Sequence, residues 1–316
     1  MPTNPLRTMS DYQSFYENNL LPHLEEIDEE RIKVLKNRLG IASLSALVIL
    51  IHSILIASDI LPSVTLFITL FAVPTGGYFG FKKYFDKFAD IEESFRNIVL
   101  KEVLKEQLHG DCEETGFIPY NTFKESQMLR ETPQHYTGAY LTEGRVGKYN
   151  VEASLLQVGN LEEGGKWEQI FEGLFVAAEG GGSFEGFMTI TPDDLQKRLG
   201  LLGKKIQANS RHLGEYISTP YRRFSKTFAI YTDNPIEAQK LIEDEFVALI
   251  MSYVDNYNDE LYIICRDEKL FLAFDLYQKS ANFNHWLTVK NPKKYEKLYN
   301  QLSMAFEILE AVHRRK

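Results

Sequence analysis

The residues able to do chemistry are scattered along this chain rather than gathered. Its seven histidines include no pair three or four residues apart, the spacing that sets two imidazoles on one helix face around a metal. No metal site and no cofactor site is therefore expected. There is no G-x-S-x-G nucleophile elbow, no G-x-x-x-x-G-K phosphate loop and no glycine-rich dinucleotide fingerprint. Gly180, Gly181 and Gly182 invite comparison with a phosphate cradle. No Lys-Ser or Lys-Thr follows them and no helix signal begins there, so they read as a connection between antiparallel strands. The pairs Glu162-Glu163 and Asp193-Asp194 read as turn and helix-cap residues. Glu172 and Glu185 are of the right type for acid–base work, but nothing in the sequence makes them converge, and no catalytic residue is assigned.

His52 stands apart. It lies inside LGIASLSALVILIHSILIAS, the twenty residues Leu39–Ser58, which carry no formal charge. An ionisable group in such a run is a functional candidate by default. Folding the chain about Ile60 sets His52 level with Ile68 and Thr69. A neutral imidazole bonded to the Thr69 hydroxyl would be a satisfied, structural arrangement; the sharper reading is proton or ion handling.

Two apolar runs must position these residues. The second, ILPSVTLFITLFAVPTGGYFGF, is also uncharged and covers Ile60–Phe81. As helices, the two runs are each about 30 Å long, the thickness of a hydrocarbon core. Arg31, Lys33, Lys36 and Arg38 precede the first, and Lys82, Lys83 and Lys87 follow the second. The turn between them, Ala57–Val64, holds Asp59 and Pro62 and no basic residue. Basic flanks stay cytoplasmic, so the sequence predicts a two-helix transmembrane hairpin in the inner (plasma) membrane, multi-pass, with both termini cytoplasmic. Gly76 and Gly80 form a G-x-x-x-G beside Gly77, with Pro74 as a kink upstream. The same folding brings them opposite Gly40 and Ser43. Small residues on both helices permit close packing within the hairpin, or self-association into a homo-oligomer.

Apolar positions at helical spacing predict a helix over Leu20–Arg38 and another from Phe85 to Leu108, stopped at Gly110. Their apolar faces need cover from each other or from the C-terminal domain. Beyond about Gly116 the pattern changes to short aromatic-rich segments. Tyr149–Leu156, Trp167–Ala177, Phe184–Ile190 and Phe224–Tyr231 read as strands. Leu261–Cys265 and Leu270–Phe274 read as a β-hairpin with a four-residue tip, Arg266 to Lys269. Helices are expected over Pro192–Leu202, from Asn234-Pro235 to about Tyr253, and from Asn291-Pro292 to the basic tail His313–Lys316. The fold class is thus α+β with a mainly antiparallel sheet. The expected divisions are 1–38, a helical segment; 39–81, the hairpin with spans 39–58 and 61–81; 82–110, a juxtamembrane helix; and 111–316, a cytoplasmic α+β domain.

Composition narrows the function. A net charge of −9 argues against a nucleic-acid partner. Two cysteines, Cys112 and Cys265, are too few for a disulfide framework and fit a reducing compartment. Met1–Ser10 shows no signal-peptide pattern.

Several stretches resemble a known family. GFIPYNTFKES (Gly116–Ser126), HYTGAY, EGRVGKYNVEAS, the run Ile170–Val176, FEGFMTITP (Phe184–Pro192), YRRFSKTFAIYTDNPIEAQKLI and LYIICRDEKLFLAFD are similar to bacterial domain of unknown function 3137. The resemblance covers about Leu20–Phe274 and implies two membrane spans before a cytoplasmic domain. It carries no catalytic residues with it. The sequence therefore favours a membrane-anchored cytoplasmic binding or scaffold module, with the bilayer and an unnamed cytoplasmic protein as partners. An enzyme or small-ligand receptor is the alternative, and a component of a small transport complex the second.

Overall fold

A computed structural model of the chain describes residues 9–58, 60–62, 64–129, 132–161, 167–180, 184–193, 214–257, 260–276 and 283–313. The chain divides into two compact units. One comprises Thr8–Val99 with Ala281–Lys293; the other comprises Met1–Arg7, Leu100–Ser280 and Lys294–Lys316. This division does not follow the linear one read from sequence, because a short late segment belongs with the first helices.

In the first unit, α1 (Met9–Phe15) passes through a π-helical turn (Tyr16–Leu20) into α2 (Leu21–Ala57). The Leu21 N–H still donates to the Tyr16 carbonyl across the π-helical turn, and Pro22, which has no N–H, follows where the wider π turn gives way to α2. The expected Leu20–Arg38 helix and the first apolar run are one continuous helix of 37 residues. Its buried stripe is Leu24, Ile27, Asp28, Arg31 and Val34, at spacings of three and four. Past Leu39 the burial stops: Leu44, Leu47, Val48, Leu50, Ile51 and Ile54 are all exposed. Among the described residues, the helix over 11–57 is long and apolar enough to cross a membrane. Its most apolar window has mean hydropathy 2.4, and none of that window is buried. α3 runs Val64–Leu108, and its part within this unit buries Phe88, Ile91, Phe95 and Val99.

The cover for these helix faces is the segment 283–292, a strap of turns and extended chain that leads into the last helix at Lys293. Tyr12 donates its hydroxyl hydrogen to the Pro292 carbonyl, and Tyr16 donates to the Lys290 carbonyl at 2.6 Å. The Val289 N–H and Thr288 hydroxyl both donate to the Asp28 carboxylate at 3.2 Å, and Arg31 Nη1 donates to the His285 carbonyl at 2.7 Å. Asp28 and Arg31 also pair directly, Nε to Oδ1 at 2.9 Å. Burial alone would raise the Asp28 carboxyl. The bonds from Arg31, Val289 and Thr288 outweigh it and hold the group below its ordinary value. The ring of His285 packs edge-on against Phe88 and Phe283 packs against Phe95, at centroid distances of 4.5 and 5.5 Å.

The second unit is built on a nine-stranded sheet in the order β1-β2-β3-β4-β9-β8-β5-β7-β6, antiparallel at every pairing. The strands are β1 (Asp111–Glu113), β2 (His135–Val146), β3 (Tyr149–Leu161), β4 (Trp167–Glu179), β5 (Phe187–Pro192), β6 (Glu215–Tyr216), β7 (Phe228–Thr232), β8 (Leu261–Arg266) and β9 (Lys269–Phe274). Among the described residues, its helices are α4 (Tyr120–Glu125), α5 (Phe224–Thr227), α6 (Pro235–Leu241), α7 (Asp244–Tyr257) and α8 (Lys293–His313). One sheet face packs on α7 and α8. Tyr253 meets Phe274 at 5.8 Å, and Gln301 on α8 donates to the Tyr253 hydroxyl at 3.0 Å and to the Asp275 carbonyl at 2.7 Å.

The structure corrects several sequence expectations. β4 and β5 run antiparallel, as expected of the strands on either side of Gly180, but they are not neighbours, because the β8–β9 hairpin lies between them. The hairpin tip is two residues, not four, because Arg266 and Lys269 are still paired and Asp267 takes the left-handed conformation, φ 52°. The expected strand from Phe224 begins as a turn of helix, α5, before β7. The helix after Asn234 breaks at Ile242 and restarts as α7. Asn234 does cap α6, its side chain accepting from the Glu237 N–H. Of the expected Pro192–Leu202 helix, 194–202 lie outside the described residues, as do Glu162, Glu163, Gly181, Gly182 and Asp194.

Candidate functional site

The second sheet face carries the chemistry of this unit. α4 lies across it, held by backbone contacts that explain the GFIPYNTF stretch. The Ile118 N–H donates to the Ser154 hydroxyl at 3.1 Å, and the Tyr136 hydroxyl donates to the Ile118 carbonyl at 2.7 Å. Pro119 then starts α4 with extended backbone. Under it lies an aromatic core of Phe123, Phe171, Phe175, Phe187, Tyr262 and Phe271. Burial raises the Tyr136 phenol far above its ordinary value, so it acts as a neutral donor.

Where α4 ends, the same face continues but turns polar. Strand alternation puts Glu152, Glu179, Lys269 and Arg266 on the side of Phe271. The result is an open cleft of about 960 Å³ lined by Lys124, Glu125, Gln127, Glu179, Arg266 and Lys269, among others. Lys269 donates to Glu125 at 2.6 Å, which raises its pKa. Glu152 also sits above the ordinary carboxylate value, first through burial and then through the nearby Glu143 and Glu179 charges. Arg266 is the group left open. Its guanidinium lies 5.7 Å from the Phe187 ring centroid, and its buried Nη1 donates to nothing among the described residues. A buried donor without an acceptor costs roughly 1–3 kcal/mol. Chemically, the cleft suits a ligand presenting a carboxylate or similar acceptor to Arg266 and further charge to the Glu125–Lys269 pair.

The residues singled out from sequence lie in the helices of the first unit. His52 Nε2 is 3.0 Å from Thr65 Oγ1, not bonded to Thr69, which instead donates to the Thr65 carbonyl at 3.2 Å. The observed partner thus lies one helical turn earlier on α3 than the expected Thr69. Gly77 is the glycine that meets the other helix: a Cβ there would lie 3.6 Å from Ser45 Oγ. At Gly40 and Gly76 a Cβ would meet nothing within 4 Å. Gly80 lies within α3. Sequence reasoning missed the cleft. Its one signal was the charged run Arg266 to Lys269, which reads as solvated turn.

Mixed helix and sheet, with a large antiparallel sheet and one long apolar helix near the N-terminus, defines the class of protein. Residues 169–314 match the family described as "Protein of unknown function (DUF3137)". Gly116–Ser126 and HYTGAY lie upstream of the matched segment. No curated protein matches the chain. A crystal structure of the mycobacterial trehalose monomycolate transport factor A, TtfA, is similar at 8% identity over 67% of this chain and 92% of that one, with a TM-score of 0.34.

Proposed function

We propose that this chain is a binding or scaffold protein anchored in the inner membrane by two helical spans, with both termini and the α+β domain in the cytoplasm. The observation that carries the reading is the bare apolar window of α2. A helix core that water never meets needs an apolar partner, and the first charge beyond each run is basic except at the turn. The second crossing is assigned to α3 from Val64 to Phe81. Self-association belongs to the same reading: a Cβ at Gly40 or Gly76 would meet nothing within 4 Å among the described residues, which leaves room for a second copy.

Topology is tested with a membrane-impermeant maleimide on intact cells. A Ser58→Cys chain is expected to label from outside, while Cys112 labels only after permeabilisation. Cys265 is fully buried, with its thiol pushed up to about 12, and labels only after unfolding. Labelling of Cys112 in intact cells would reverse the orientation.

The recognition surface is assigned to the cleft. Crosslinking from native membranes should recover one stoichiometric protein partner with the unaltered chain. Recovery should fall at least roughly tenfold with Arg266→Glu, the loss expected for removing a charged contact. A small-ligand receptor is the second reading, favoured by the open Nη1 of Arg266. It gains if no protein is recovered and a bound metabolite is lost with the same substitution.

A further inference from the structure

The strap that covers the first helices ends in a tip whose position and composition are unexplained by packing. Its two arms both lead away from the tip. On one side Thr288 and Val289 lie at Asp28, Lys290 at Tyr16 and Pro292 at Tyr12, stepping back along α2 and α1. On the other, His285 lies at Phe88 and Phe283 at Phe95, stepping down α3. Between them the chain reverses in a turn closed by the Leu287 N–H to the Asn284 carbonyl at 3.2 Å and the Trp286 N–H to Asn284 Oδ1 at 2.9 Å.

The residues at this apex are Trp286 and Leu287, 66% and 63% exposed. The level of the apex is fixed by a shared ring: Phe88 packs on His285, and the Arg38 guanidinium lies 5.0 Å from the Phe88 centroid. Arg38 is the last charge before the apolar run that opens at Leu39. A tryptophan and a leucine are therefore held bare, on a braced turn among the last basic residues before the apolar run, between Arg31, which donates to the His285 carbonyl, and Arg38. An indole has an apolar body and one N–H, the chemistry of the boundary between headgroups and acyl chains.

We propose that Asn284–Leu287 is an interfacial anchor, and that Trp286 and Leu287 insert into the headgroup–acyl boundary of the same leaflet that α2 enters. This rests on the reading that α2 crosses a membrane. The anchor fixes the strap, and with it the α2–α3 pair, at a set height against the bilayer. The occupant is lipid rather than a protein because α2, whose Arg31 holds the turn, runs on from Leu39 into an apolar window that no described segment covers.

The test uses the full chain in phosphatidylethanolamine–phosphatidylglycerol vesicles. Trp167→Phe leaves Trp286 as the single tryptophan; a Trp286→Phe chain, retaining Trp167, serves as control. Lipids spin-labelled near the headgroup should quench Trp286 emission at least roughly twofold more than lipids labelled near the chain end, as a depth of about 5–10 Å requires. Trp167 should be quenched by neither. Unquenched, water-like Trp286 emission from chains that float with the vesicles overturns the anchor while leaving the membrane span standing. Chains that fail to float overturn both.

Discussion

In an Asp28→Ala chain, the amides of residues 283–293 are expected to exchange with solvent roughly a hundred- to a thousand-fold faster than in the unaltered protein. The side chains of Asp28 and Arg31 are each 5% exposed, and the carboxylate accepts from Arg31, Val289 and Thr288 at once. Removing it strips three bonds and leaves the Arg31 guanidinium buried with only the His285 carbonyl to receive it. Breaking one half of a buried pair in this way costs about 3–5 kcal/mol. The loss should be confined to the strap and its helices, and the sheet amides should not change. Unaltered exchange in 283–293 would show that the aromatic contacts of Phe283 and His285 hold the strap without Asp28.

The same carboxylate gives the strap an acid limit. Asp28 titrates lower when folded than when unfolded, so its contribution is complete above the ordinary carboxylate value of about 4. It is lost as pH falls through the lower, folded value. Strap protection should therefore fall below about pH 4 in the unaltered chain. In Asp28→Asn, which has no charge to lose, that step should be missing.

Gly110→Ala is expected to destabilise the sheet unit by about 3 kcal/mol or more, the upper range for forced overpacking, and to lower its Tm by roughly 6–12 °C. At the end of α3, His109 takes the left-handed conformation with φ 51°, and the next residue presses directly onto β2. An added Cβ at Gly110 would lie 1.7 Å from the Glu143 carbonyl oxygen; at Gly144, it would lie 2.1 Å from the Leu108 carbonyl oxygen. Both obstacles are backbone, which cannot swing aside as a side chain can. Gly144→Ala should match Gly110→Ala, and the double variant should cost less than the sum because both wedge open one junction. A Tm within a degree of the unaltered chain would mean that the α3 terminus can lift off β2 freely.

This junction also shows what the sequence could and could not reveal. Gly110 was legible as a helix stop, but its tight partner Gly144 sits in β2, which was not read as a strand. In HYTGAYLTEGRV glycines and polar residues blur the alternation, and a bulge between Ala139 and Thr142 breaks its period. The uncharged runs, the Asn234 cap and the hydrophobic cores of β3, β4, β8 and β9 were legible because each is written in consecutive residues. The strap was not. Asp28 and Arg31 look like two more members of a solvated charge run, and their partners are main-chain and hydroxyl groups more than 250 positions away. The cleft was hidden for the same reason: Lys124, Glu179 and Arg266 converge only once β9 pairs with β4. His52 meets Thr65 rather than Thr69, one turn earlier on α3, because counting residues outward from a turn does not fix which side chains of two helices face each other.

The strap has a consequence for the order in which this protein can be made. Arg31 waits for a carbonyl 254 residues later, and Asp28 for an amide 261 residues later. At roughly 5–20 residues per second, a ribosome needs about 13–50 s to supply them. Throughout that interval the first helices have emerged with an aspartate, an arginine and the aromatic faces of Phe88 and Phe95 uncovered. The sheet closes sooner, once Phe274 arrives to pair with Leu174. Translation thus sets an order of synthesis: the first helices, then the sheet strands, then the strap, and last α8, whose Gln301 bonds Tyr253 and Asp275 in the sheet unit. A chain that ends anywhere before residue 283 lacks every one of these strap contacts and leaves Asp28 and Arg31 with only each other among the described residues.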